Sequence, residues 1–224
     1  MTPDIHIVRH ARARRMRLSV DPASGRVRLT LPPRASLKRA MAWAEEHRGW
    51  IEAQRGRFPD ARPFAPGALI PVEGEDVVID WLAERPRTIR VEEGRLVCGG
   101  PLEGLSRRIE SWLKRRALAT LSDETAEFAA RAGVAVTRVT VGDPKARWGS
   151  CASTGAIRYS WRLICAPPHV RRATVAHEVA HRLHMDHSRA FHTALRGLYG
   201  ADPAPARAWL KRHGASLHWL GRCS

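Results

Sequence analysis

Thr174-Val-Ala-His-Glu-Val-Ala-His-Arg-Leu-His-Met-Asp-His187 is the stretch on which the fold and the chemistry of this chain depend. It contains His177-Glu178-x-x-His181, in which the two histidines are separated by about one helical turn. On an α-helix they therefore lie on the same face, where two imidazoles can bind one tetrahedral metal ion. Glu178 would reach the open side of that ion and take a proton from a metal-bound water.

A third ligand is needed, and two more histidines follow the motif. His184 shares the helix face, but three ligands in line on a straight helix cannot surround one ion. His187 lies further on, where the chain can turn back. We therefore expect one Zn²⁺ per chain, held by His177, His181 and His187 with a water in the fourth position, which is the open arrangement of a catalytic zinc.

The segment around the motif predicts an enclosed helix. Pro168 suits its first turn, where a missing N–H costs nothing, and apolar residues cover nearly all of its sides. A helix of this kind is buried by the rest of the fold. We expect its histidines at the floor of a cleft.

Composition narrows the class of protein. The 224 residues, 44% of them hydrophobic, can bury the core of one domain or of two small ones. The sequence has no apolar run of about 18 residues for a membrane span and no signal-peptide segment near its start. Its cysteines are scattered, without paired spacing, at Cys98, Cys151, Cys165 and Cys223. We expect reduced thiols in a cytoplasmic protein.

The charge is strongly basic, with a net value of +16 from 38 basic and 22 acidic residues. Such a balance favours polyanionic partners: nucleic acid, an acidic membrane surface or phosphorylated substrates. The alternative is an arginine-rich proteome and a solvated surface, since no nucleic-acid motif accompanies the charge. Arg9, Arg12, Arg14, Arg15 and Arg17 crowd one predicted strand as its solvent face or as a phosphate-binding stripe.

Hydrophobic periodicity predicts an α+β fold. A β-rich N-terminal region over residues 1–100 would contain one hairpin before residue 35, one helix from the N-cap Ser36 to about Arg55, a connection over 58–71, and strands over 77–82, 88–91 and 95–98. The boundary would lie at Gly99-Gly-Pro101. The region over 101–224 would contain a long helix from Leu105 to Ala132, strands over 134–141 and 156–163, the metal helix, helices over 191–198 and 204–212, and a short strand over 215–220.

Five motifs in a fixed order carry a family resemblance. They are Arg147-Trp-Gly-Ser-Cys151, Trp161-Arg-Leu-Ile164, Ala166-Pro-Pro168, His177-Glu-x-x-His181 and His187-Ser-Arg-Ala-Phe191. Together they resemble the YgjP-like (DUF45) metallopeptidase family, which is related to the SprT-like and WLM zinc peptidases. The resemblance implies a zincin-like metalloprotease half, with the β-rich region packed on it, the three predicted histidines as zinc ligands and Glu178 as general base. One departure is Ser160, where the family usually has Asn.

The expected reaction is cleavage of peptide bonds by a zinc-bound water that Glu178 activates. The strand over 157–161 would pair with an extended peptide. Arg147, Tyr159 and His192 are candidates for substrate binding or oxyanion stabilisation, although Arg147 and Trp148 could instead stabilise their loop. The expected partners are a peptide or protein substrate and, through the basic surface, nucleic acid, with no membrane; the oligomeric state is open and a monomer would suffice.

Two other functions compete. A metal-dependent hydrolase of nucleotides or other phosphate compounds would use the basic N-terminal region to hold phosphates, although no glycine-rich phosphate loop is present. A non-catalytic nucleic-acid-binding protein with a structural zinc would have no need of Glu178 as a base.

Overall fold

The computed structural model describes residues 5–222, and this part of the chain contains six α-helices and three small β-sheets. The predicted α+β class is confirmed. Across these residues, none of the helices combines the length and the apolar character that a membrane crossing requires. The chain divides into two compact units, residues 1–60 and 61–224.

The first unit is a three-stranded sheet with two helices. Strands β2 (Arg17–Val20) and β3 (Val27–Leu31) form the predicted antiparallel hairpin. Its turn is stabilised by Asp21, whose carboxylate accepts a hydrogen bond from the N–H of Ala23. Strand β1 (Ile5–Arg9) pairs in parallel with β3 and gives the order β1-β3-β2, which the sequence did not indicate.

The helix predicted over 36–55 is two helices, α1 (Leu37–Glu46) and α2 (Arg48–Arg55). Ser36 caps the first, as predicted, by accepting a hydrogen bond from the N–H of Arg39. The break falls at His47, whose φ of −98° and ψ of 15° leave the helical region. One ring nitrogen of His47 lies 2.8 Å from the carbonyl oxygen of Trp43, so the side chain bonds locally to the backbone at the break.

The second unit begins with a four-stranded sheet of order β4-β5-β7-β6. Its strands are β4 (Leu69–Val72), β5 (Glu75–Trp81), β6 (Arg90–Glu92) and β7 (Arg95–Cys98). Strand β4 lies at the end of the segment predicted as a connection, and a tight turn at Glu73 and Gly74, both with positive φ, joins it to β5. The boundary predicted at Gly99-Gly-Pro101 falls inside this unit, and a separate domain over 1–100 stays a prediction.

The remaining elements surround one long helix, α3 (Leu105–Ala132), which ends at the left-handed residue Gly133. They are β8 (Arg138–Gly142), β9 (Gly149–Cys151), β10 (Ala156–Ser160), a 3-10 helix (Trp161–Cys165), α4 (Pro168–Ala180), α5 (Arg189–Tyr199) and α6 (Ala204–His218). The short strand predicted over 215–220 is wrong, because α6 continues to His218. Only an isolated bridge joins Leu220 to Arg62.

Helix α4 is enclosed, as its composition predicted. It packs against α3, α5, α6 and β9, and Val170, Val175, Ala176 and Val179 are completely buried. The sheet beside it has the order β8-β10-β9, with β10 parallel to β8 and antiparallel to β9. Strand β9 is therefore the edge strand next to α4.

Candidate metal centre

The structure brings the three predicted histidines together. His177 lies in the last turn of α4, His181 directly after the helix, and His187 in the loop before α5. One ring nitrogen from each lies within 4.8 Å of the other two, and the Nε2 atoms of His177 and His187 are 3.3 Å apart. Two imidazole nitrogens on a tetrahedral zinc at about 2.05 Å are separated by about 3.3 Å. The three donors are therefore close enough to hold one metal ion, and the His177–His187 pair has the separation of a tetrahedral site.

The local backbone orients these rings. Nδ1 of His181 lies 3.1 Å from the carbonyl oxygen of His184, which leaves Nε2 of His181 free for the shared site. His184, the alternative third ligand, thus helps to orient His181 through its backbone carbonyl oxygen. Phe191 packs against all three imidazoles, with ring centroids 4.6–5.0 Å away. Ser188 caps α5 at the N–H of Phe191 and so fixes the position of that ring.

The surroundings of His177 and His181 favour the neutral form of both rings. Burial, followed by the neighbouring His181 and His187, lowers the pKa of His177 to about 4. Burial also lowers the pKa of His181. Imidazoles must be unprotonated to bind a metal, and both of these rings are unprotonated at neutral pH.

Glu178 lies beside the cluster with 5% of its surface exposed. Burial raises the pKa of its carboxyl group to about 7, and the guanidinium of Arg147 opposes this shift only in part. None of the described residues forms a hydrogen bond with this carboxyl group. Its space is provided by Gly149 on β9, where a Cβ atom would lie 2.4 Å from Oε1 of Glu178.

A cleft of about 250 Å³ opens onto His177 and Glu178. Its other walls are mostly apolar, formed by Trp148, Leu195, Pro203, Ala206 and Leu210. Arg147 lies in the lining, and its role in substrate binding stays a prediction. Arg207 on α6 also lines the cleft, and no feature of the sequence distinguished it from the many other arginines.

The structure does not bring the other two candidates into the cleft lining. Tyr159 is completely buried, and its hydroxyl lies 3.0 Å from Oγ1 of Thr125, which itself donates to the carbonyl of Leu121. His192 is half-buried, with its ring centroid 6.5 Å from that of His187. The strand over 157–161 is also not open to a peptide, because β10 has a partner on each side.

Buried contacts hold the loop that presents Arg147 and Gly149. The indole of Trp148 stacks on the ring of His218, with centroids 5.0 Å apart. Arg162 donates to the carboxylate of Asp143 at the start of the loop and to the carbonyl oxygens of Leu217 and Leu220. These bonds connect the loop to the end of α6. The position of Gly149 is therefore fixed by contacts between the loop and the core.

Three imidazoles in one cluster, with a buried and unpaired carboxyl group beside them in an open cleft, are the parts of a metal-dependent hydrolase. Comparison with protein-family models identifies the particular group. Residues 14–213 match the model described as YgjP-like, metallopeptidase domain, and the chain belongs to this family. The resemblance seen in the sequence is confirmed. Neither the curated proteins nor the solved structures contain a match to the chain.

Proposed function

We propose that the protein is a zinc-dependent peptidase with a zincin-like catalytic half. His177, His181 and His187 hold the ion, and Glu178 is the general base. The observation that carries the proposal is the Glu178 carboxyl group, which is buried beside three clustered imidazoles, faces a cleft and has no hydrogen-bonding partner among residues 5–222. Burying a carboxyl group without a hydrogen bond costs free energy, and such groups occur mainly at functional sites.

The donor chemistry supports zinc. Imidazole suits zinc better than magnesium or calcium, which prefer oxygen ligands, and the 3.3 Å separation of two Nε2 atoms matches a tetrahedral site of zinc dimensions. When bound, zinc supplies Lewis acidity that polarises a carbonyl and acidifies water. The cleft leaves His177 and Glu178 accessible to a substrate and to water.

Glu178 is suited to move a proton near neutral pH. Its pKa of about 7 means that it can take a proton from the attacking water and return it to the leaving amine, since an effective base has a pKa near the working pH. Its Oε1 lies against the backbone of Gly149 rather than against a cation or a hydrogen-bond donor. The carboxyl group is therefore positioned by packing while its oxygens remain available.

The free edge of β9 is the element that can hold an extended peptide. The N–H of Ser160 bonds to the carbonyl oxygen of Trp148, so strand alternation directs the backbone groups of Gly149 to the opposite, unpaired edge. A peptide added there would gain main-chain hydrogen bonds with little sequence selectivity. It would lie beside Arg147 and the face of α4 that carries Glu178.

A second candidate function is hydrolysis of a phosphate compound at the same centre. The observation that favours it is the pair of exposed guanidiniums, Arg147 and Arg207, which line the cleft and could bind phosphate oxygens. The peptide proposal is preferred because the apolar walls and the edge strand suit a polypeptide. A purely structural zinc would leave the open cleft and Glu178 without a role.

The first test is metal content per chain after reconstitution with zinc. We expect about one zinc in the wild type, a loss in His187→Ala, and retention in Glu178→Gln. His184→Ala is the matched control, because that residue contributes only its carbonyl oxygen. Absence of zinc from the reconstituted wild type, or loss in the control alone, would contradict the assigned ligands.

The second test separates the reactions. Zinc-loaded protein is incubated with a peptide library and, separately, with nucleoside triphosphates, and Glu178→Gln serves as the inactive reference. Peptide cleavage that the variant lacks supports the peptidase. Phosphate release with intact peptides would favour the second candidate, and no turnover of either class would sink the hydrolase proposal.

A further inference from the structure

A second concavity of the molecule is lined by arginines. It has a volume of about 480 Å³ and lies between the segment before β6 and the first turns of α3. Arg87, Arg107, Arg108 and Arg115 line it together with Ser111 and Trp112, and no acidic side chain does so. We refer to these six residues as the arginine groove. None of them belongs to the metal centre.

One of its guanidiniums is held by backbone hydrogen bonds, and a second arginine packs its stem against the backbone. Arg108 donates to the carbonyl oxygens of Gly99, Pro101 and Glu103. Arg87 lies over Gly100, where a Cβ atom would be 2.5 Å from its Cγ, and this glycine has a φ of +77°. The groove is therefore preorganised, which reduces the entropy lost when a ligand binds.

The charges of the groove lack counterions in the protein. Across residues 5–222, no ion pair involves Arg87, Arg107 or Arg115, whereas the neighbouring cations of α3 are neutralised by carboxylates: Lys114 by Glu110 and Arg116 by Glu73. Nε of Arg108 is buried and has no hydrogen-bond partner within the same range of residues. Four like charges around one concavity repel each other, and an anionic ligand would relieve that repulsion.

The spacing of the arginines favours a ligand with several anionic groups in a row over a ligand with a single anionic group. Arg107, Ser111 and Arg115 are spaced by four residues along one face of α3, so the two guanidiniums originate about 12 Å apart along the helix axis. Trp112 adds an indole that is only partly buried. A cationic groove with an aromatic side chain beside it is the arrangement that binds single-stranded nucleic acid without sequence preference.

The concavity next to the groove differs from it in charge. Trp112 also lines this second concavity, whose charged residues are Glu73, Glu75 and Asp76 together with Arg90 and Arg116. Its charges are of both signs, whereas those of the arginine groove are all positive, so a polyphosphate chain is attracted more strongly to the arginine groove. We propose that the arginine groove binds the phosphate backbone of single-stranded nucleic acid, independently of the metal centre.

The test is binding of a fluorescent oligothymidylate of about 12 nucleotides to the full-length protein, followed by anisotropy over a series of salt concentrations. The double variant Arg107→Gln/Arg115→Gln is compared with Arg196→Gln/Arg212→Gln, which removes the same charge from exposed positions on α5 and α6. Thermal unfolding of each variant verifies that the fold is retained.

We expect the groove variant to bind at least tenfold more weakly at low salt, and the control pair to change affinity by less than about threefold. The slope of log K against log salt should become shallower by about 1.4 in the groove variant, because two phosphate contacts are lost. If both double variants lost the same amount of affinity for oligothymidylate, net charge alone would explain the binding and the proposal would be overturned. Undetectable binding would also overturn it, as would stronger competition by a nucleoside triphosphate or by polyglutamate than by unlabelled oligothymidylate.

Discussion

Two glutamates of the second unit are buried to nearly the same extent, yet their surroundings differ. Glu124 on α3 accepts two hydrogen bonds from the guanidinium of Arg171 on α4, at 2.9 and 3.0 Å. Glu178, about two turns further along α4, packs its carboxyl group against the backbone of Gly149 and forms no hydrogen bond with any of the described residues. Burial raises the pKa of both carboxyl groups, and Arg171 opposes that shift at Glu124.

The difference separates a structural charge from a reactive one. A buried ion pair fixes two helices relative to each other, and breaking it leaves an uncompensated charge. A buried carboxyl group without a partner is held ready to exchange a proton. Removing the carboxylate of Glu178 should therefore change turnover, and removing that of Glu124 should change stability.

The largest effect is expected from Glu178→Gln. The amide has the same shape but cannot accept the proton, so peptide turnover should fall by about 10³-fold, equivalent to about 4 kcal/mol in the barrier. The free energy of unfolding should not decrease. Steady-state kinetics of zinc-loaded protein and chemical denaturation measure the two quantities. Wild-type turnover in this variant would contradict the assignment of Glu178 as the reactive glutamate and Glu124 as the structural one.

Glu124→Gln should show the converse. It leaves Arg171 charged and buried, so we expect a loss of about 3 kcal/mol in the free energy of unfolding, with zinc content per folded chain unchanged. Glu127→Gln is the control, since its ion pair with Arg172 is partly exposed and should contribute less than about 1 kcal/mol. Equal losses in the two variants would show that burial does not set the strength of the pair.

Asp143→Asn extends the comparison to the network behind the cleft. Burial raises the pKa of Asp143, but Arg162 and Lys145 outweigh it and lower the pKa to about 2. This depressed pKa contributes about 2 kcal/mol of stability above pH 4, which is lost as the pH falls through 2. The variant should be less stable by that amount at pH 7, with a difference that shrinks between pH 4 and pH 2. Denaturation across this range, with the exposed Asp123→Asn as reference, measures the effect; a difference independent of pH would contradict it.

Gly149→Ala should have the smallest effect, because the added Cβ atom meets the side chain of Glu178. The new methyl group would displace the carboxyl group from its position, and we expect turnover to fall about tenfold. Gly197→Ala, where a Cβ atom meets nothing within 4 Å, should keep full turnover. A wild-type rate in Gly149→Ala would show that the packing of Glu178 against β9 does not matter.

The features with local signals were predictable from the sequence. The β2–β3 hairpin, α3, α4 and the convergence of the three histidines all follow from periodicity, turn residues or helical spacing. The burial of Tyr159 also had a signal, since it alternates with Ile157 on β10 and both point into the core. Its assignment to substrate binding neglected this alternation.

The features that the sequence did not reveal depend on contacts distant in the chain. The parallel pairing of β1 with β3, the central position of β10 and the presence of Arg207 in the cleft are set by tertiary packing. Tertiary packing also determines that Glu178 lacks a hydrogen-bonding partner among the described residues, because it sets which donors lie near the carboxyl group. Neither propensity nor spacing within a segment contains this information.

The three-residue length of β9 has a consequence for self-association. An unpaired strand edge that accepts a peptide can also accept another copy of the protein, which is a common start of aggregation. Here the edge offers only Gly149–Cys151, too few residues for a stable sheet between copies, and each copy carries a net charge of +16. Mutual repulsion therefore disfavours pairing between copies, while a neutral or acidic chain can still approach the edge.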